Sequence, residues 1–132
     1  MTTTDKNLDI VRRGYAAFSA GDVATLSELI ASDAVHVVPG NGPISGAHKG
    51  QESILTMYGD LAKRSNNTMK VELQDLLSNG SDQVVGVHRA TAQREGKKLD
   101  QREVLVFTIN NGKIVEIRDF FTDIAAQDAF WA

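Results

Sequence analysis

Few residues in this chain can do chemistry. Its 132 residues include no cysteine, which excludes disulfides, thiolate nucleophiles and thiolate metal sites, and only three histidines, His36, His48 and His88. Asp119 stands out among the acids. It lies in Glu103–Phe121, EVLVFTINNGKIVEIRDFF, which reads as two strands joined at Asn110-Asn111-Gly112-Lys113, where Asn and Gly tolerate the positive φ of a tight hairpin. Alternation puts Val115, Ile117, Asp119 and Phe121 on one face, with Ile114, Glu116, Arg118 and Phe120 on the other. A carboxylate between Ile117 and Phe121 occupies a position where a buried sheet face normally carries a hydrophobe.

His88 lies in a second strand, 84–93, and shares a face with Val84, Gly86, Ala90 and Ala92. These small neighbours leave room for a helix or a ligand to approach. Asp119 and His88 are therefore predicted to form an acid–base pair, the carboxylate fixing one tautomer of the imidazole so that it works as a base near neutral pH. The structural alternatives are a turn cap or a partnership with Arg118 or Arg102 for Asp119, and a hydrogen-bonded core histidine for His88. His36, opposite in phase to Val35 and Val37, is placed at the pocket mouth, and His48 in a solvent-exposed loop. Tyr15, Phe18, Val38, Tyr58, Phe121 and Trp131 are the expected apolar walls, the tyrosines and tryptophan carrying polar handles. His36, His88 and Asp119 have the composition of a two-histidine, one-carboxylate metal set, but their spacing gives it no support, and no metal or cofactor is expected. PGNGPISG lacks the lysine and hydroxyl of a phosphate loop, and no serine sits in a nucleophile-elbow pattern.

The elements that must position these groups emerge from periodicity. Leu8, Val11, Tyr15 and Phe18 recur at helical spacing after a cap at Thr4, and Gly21 stops that helix. Asp22 caps a second helix with Val23, Leu26, Leu29 and Ile30 on its face. Ser32-Asp33 connects to a strand, Ala34–Val38. Pro39–Lys49 holds both prolines and is a loop. Gly50–Ser65 is a third helix, and from Met69 the pattern is strand-like through the hairpin, with a short helix at Ile124–Phe130. Such an order is α+β: a cone-like curved antiparallel or mixed β-sheet wrapped around three N-terminal helices, as one domain over 1–132. The open end of such a cone is a natural pocket.

The chain is 42% hydrophobic and 23% charged, with a net charge of −3 and a pI near 5.5. This suits one domain with its own core and gives no basic surface for nucleic acid. No apolar run approaches a membrane span, no secretory signal is visible, and a cytoplasmic protein is expected.

Phe18-Ser19-Ala20-Gly21-Asp22, Ala31-Ser32-Asp33-Ala34-Val35, and Gly112-Lys113-Ile114 with Arg118-Asp119-Phe120-Phe121 resemble the nuclear-transport-factor-2-like superfamily, which has the ketosteroid isomerase-like α+β barrel. His36-Val37-Val38-Pro39-Gly40 and the loop after it are most similar to its SnoaL-like branch. The tyrosine, aspartate base and second acid of ketosteroid isomerases fall at Gly14, Val38 and Val104, so all three groups are missing and the resemblance argues against that isomerase mechanism. SnoaL-like cyclases use an acid on the last strands as general base, which the resemblance assigns to Asp119. The epoxide hydrolases' Asp-Arg-Asp arrangement is incomplete, with His88 near the position of one carboxylate. The resulting expectation is proton transfer (isomerase, cyclase or hydrolase) on a hydrophobic, ring-bearing or polyketide-like metabolite. The alternative is a non-catalytic binding or dimerisation domain. A homodimer is expected in either case, through an outer sheet face assigned Val85, Val87, Leu105 and Phe107.

Overall fold

The computed structural model describes all 132 residues. Thr2, not Thr4, caps the first helix. Its hydroxyl accepts from the Asp5 amide and the Asp5 carboxylate returns the bond, a reciprocal box that starts α1 (Thr3–Ala20) two residues early. Gly21, at φ 67°, ends it in the left-handed region. Asp22 caps α2 (Val23–Leu29) by accepting from the Thr25 amide at 3.0 Å. Next come β1 (Ile30–Val38), β2 (Gly46–Lys49), α3 (Gln51–Arg64), β3 (Lys70–Ser78), β4 (Gln83–Arg94), β5 (Lys97–Asn110), β6 (Lys113–Phe121) and α4 (Ile124–Trp131). No helix is long and apolar enough to cross a membrane.

The six strands form one mixed sheet in the order β2-β1-β6-β5-β4-β3, an α+β arrangement. Every pairing is antiparallel except β1 with β6. Two features of the early chain differ from the expectation. The strand begins at Ile30 rather than Ala34, so Ile30 belongs to β1 and not to the face of α2, and the end of the proline loop pairs back on β1 as β2. Between Ile30, opposite Ile114, and Val35, opposite Glu116, β1 carries extra residues that bulge from the ladder.

Bulges also settle which side chains face inward. In β6, Ile109 pairs with Ile114 while the adjacent Thr108 pairs with Glu116, so Val115 is the extra residue. Ile114 therefore joins Ile117, Asp119 and Phe121 on the inner side instead of opposing them. On β5 the expected phase is reversed for two residues. Gly86 lies opposite Leu105 and Val84 opposite Phe107, so Leu105 and Phe107 point into the cone, and Val104 and Val106 face outward beside Val87 and Val85. Alternation could not decide this because both faces of β5 are apolar.

The core divides in two. Val11, Tyr15, Leu26, Ile54, Val84 and Ile117 belong to the larger cluster, where the helices lie on the sheet. Val38, Ile44, Met57, Leu99, Phe130 and Trp131 belong to a smaller cluster beneath α4. Between them the polar residues are buried as well: His36, His88, Glu103 and Gln127 are each 5% exposed or less. Polar groups at that depth require partners, and these find one another.

Candidate active site

Two chains of hydrogen bonds converge on the hollow of the cone. The first joins α3, β1 and β6. The Tyr58 hydroxyl lies 2.9 Å from His36 Nδ1, and His36 Nε2 lies 2.8 Å from Asp119 Oδ1. A carboxylate only accepts, so Nε2 carries the hydrogen; in the neutral ring Nδ1 is then the acceptor, and Tyr58 donates to it. The parallel β1–β6 ladder makes this contact, setting His36 opposite Ile117, one strand across from Asp119's own face.

The second chain joins α1, β4, β5 and α4. The Tyr15 hydroxyl lies 2.8 Å from His88 Nδ1, and His88 Nε2 lies 3.0 Å from Glu103 Oε1. The Gln127 amide donates to Glu103 Oε2 at 2.5 Å, and Trp131 Nε1 donates to Gln127 Oε1 at 3.1 Å. The same donor logic makes Tyr15 the donor to a neutral His88. Burial, reinforced by the negative charge of Asp119, pushes both phenols above their ordinary value of 10.0, which keeps the hydroxyl protons in place.

The Asp119–His88 pair expected from the sequence does not form. Asp119 takes His36, and His88 takes Glu103, because β6 lies between β1 and β5 and reaches His36 first. Sequence reasoning misses Glu103. It looks for the penultimate-strand acid at Val104, which faces outward, while Glu103 is directly opposite His88. The signal that could find it is its alternation with Leu105, Phe107 and Ile109, read with the correct phase. Tyr15 is equally well placed: Gly86 lies under its ring, where a Cβ would come within 2.8 Å of Cε2 and 2.9 Å of Cζ. No three His, Asp or Glu side chains are grouped so as to hold a metal ion.

The inner chamber has a volume of about 90 Å³, and both tyrosines, both histidines, Glu103 and Asp119 line it together with Phe18 and other apolar side chains. A second hollow of about 50 Å³ lies under α4, lined by Val38, Phe121, Trp131 and Gln127, and shares His36, Glu103 and Asp119 with the first. The structure thus gathers Tyr15, Phe18, His36, Val38, Tyr58, His88, Asp119, Phe121 and Trp131 around these two spaces. His48 stays outside, half-buried, with Nε2 donating to the Ile44 carbonyl at 2.7 Å.

Comparison with known proteins agrees with this architecture. The chain is 40% identical to Bal32a, from a soil-derived mobile gene cassette, over 99% of this chain and 100% of that one, with a TM-score of 0.97. It is 34% identical to a protein of cystatin-like fold from Xanthomonas campestris, covering 96% and 98% of the two chains with a TM-score of 0.90. An uncharacterized protein of Mycobacterium tuberculosis is 42% identical over 130 residues, 98% of this chain and 99% of the relative. The model of the SnoaL-like domain matches residues 11–117. The chain belongs to the SnoaL-like domain family.

Proposed function

We propose that this protein is a small-molecule enzyme of SnoaL-like type that moves a proton on a hydrophobic, ring-bearing metabolite, as an isomerase, cyclase or hydrolase. One observation carries the reading. Asp119 Oδ1 is held by His36, while Oδ2 has no protein partner and belongs to a side chain that lines both hollows, 13% exposed. That oxygen is the site's available base, for a proton beside a carbonyl or for a water. His36 fixes the direction of the carboxylate, and Tyr58 fixes the ring. If the imidazole becomes charged, both of its nitrogens donate, and the Tyr58 hydroxyl, which keeps its proton, turns its hydrogen bond toward a ligand oxygen. His88 contributes through Tyr15, since both of its ring nitrogens are already engaged.

The non-catalytic binding domain is favoured by one observation of its own: Glu103 and both imidazoles are fully partnered within the protein. The two readings separate in deuterium oxide. A panel of hydrophobic ring-bearing carbonyl compounds, followed by NMR, is expected to include members whose exchange of the proton next to the carbonyl is accelerated. Asp119→Asn is expected to lower that rate by roughly 10²–10⁴-fold while the protein stays folded. Equal rates for the folded variant and the parent would remove Asp119 as the base.

A further inference from the structure

A groove of about 740 Å³ runs along the outside of the same wall, between the end of α1, the outer side of α3 and the start of β3. It is several times the size of the inner chamber. Phe18, Leu26, Tyr58, Met69 and Val71 line both spaces, so these residues form a wall common to the two. Phe18 and Tyr58 meet edge to face, with centroids 5.3 Å apart. Tyr58 is anchored by its bond to His36, whereas Phe18 is held by packing alone and is the side chain that a tail passing between the two spaces would displace. Val23, at the lip, is 58% exposed, an apolar residue left uncovered where α2 begins.

The chamber by itself is small. Dry apolar cavities that admit a single benzene ring measure about 150 Å³, against about 90 Å³ here. It accommodates a compact oxygen-bearing head and little more. We propose that the groove holds the apolar tail of the ligand whose head is presented to Asp119, so that the substrate class is a small oxygenated head on an extended hydrophobic chain or chain of rings. Adjacency to the chamber across that shared wall argues for this occupant, as does the composition of the groove: apolar side chains along its floor, with Lys70 and Glu72 among its lining residues. This inference rests on the preceding reading for the location of the head and is otherwise independent of it.

The test uses primary alcohols from propanol to decanol as probes, with binding measured by calorimetry. Each added methylene is expected to raise affinity about threefold to fourfold until the groove is filled. Gly59 lines the groove, and a Cβ there meets open space, so Gly59→Trp is a substitution that projects bulk into the groove. It is expected to flatten the chain-length dependence and leave propanol binding unchanged. Ala62→Glu, at an exposed position of the same groove, is expected to act in the same direction. Affinity independent of chain length in the parent, or a slope that survives both variants, overturns the proposal. Failure here with an intact Asp119→Asn effect leaves the proton-transfer reading standing. A chain-length slope without any Asp119 effect leaves the groove and removes the catalysis.

Discussion

Glu103 and Asp119 approach the same chamber from adjacent strands, Asp119 opposite Leu105 and Glu103 opposite Phe121, yet only Asp119 has an oxygen to spare. The two acids therefore divide stability from chemistry. Replacing Glu103 by Leu leaves the His88 Nε2–H buried without an acceptor and the Gln127 amide with only its 3.3 Å bond to Gln101 Oε1, and is expected to cost about 3 kcal/mol or more. Asp119→Asn retains an oxygen for His36 and is expected to cost under about 1 kcal/mol. Denaturant midpoints of the two variants check the contrast. A Glu103 variant as stable as the parent would mean that the second chain of bonds contributes little.

Gly86 sets the position of Tyr15. In Gly86→Ala the new methyl overlaps the Tyr15 ring and hydroxyl, so the phenol is expected to leave His88, with a loss of about 1–3 kcal/mol. Thermal unfolding and the hydroxyl resonance of Tyr15 report the two effects. Unchanged stability would show that α1 shifts freely to accommodate the methyl.

Alkaline pH gives a third prediction. The phenols of Tyr15 and Tyr58 are raised above 10.0 in the folded state by burial, and the unfolded chain ionises at the ordinary value. Below that value both states hold the protons and stability is unaffected. Above it the unfolded chain releases protons that the folded one keeps, so stability falls by about 1.4 kcal/mol per pH unit for each tyrosine. These are the protein's only two tyrosines. Absorbance of the phenolate is therefore expected to rise together with loss of circular dichroism, in one step. Phenolate appearing near pH 10 in folded protein would contradict the buried hydrogen bonds.

The outer sheet face carries the fourth. Val85 lies opposite Val106 and Leu77, and Val87 lies opposite Val104, with Phe120 next across the sheet. Leu77 and Phe120 are each 53% exposed. We propose a homodimer through this face, and sedimentation is expected to give twice the chain mass at micromolar concentration. Val106→Glu combined with Phe120→Glu is expected to yield a monomer, whereas a parent that sediments as a monomer removes the proposal.

Some of this is legible in the sequence. Asp119 is visible because a charge interrupts Ile117 and Phe121 at strand spacing, and the hairpin because Asn111-Gly112 permits few other structures. The partner of Asp119 is not legible, since periodicity describes each strand alone and does not say that β1 lies parallel beside β6. Glu103 is hidden for a different reason. Val104, Leu105, Val106 and Phe107 are apolar on both sides, so the phase of β5 depends on what packs against each face.

The bulge in β1 has a consequence for how the site tolerates change. Five steps along that strand match two along β6, and regular pairing resumes only at Val35, one residue before the imidazole. The mismatch is taken up before the register that aims His36 begins. A one-residue insertion or deletion confined to residues 31–33, ahead of the buried Ala34, lies outside that register and is expected to leave His36 aimed at its carboxylate.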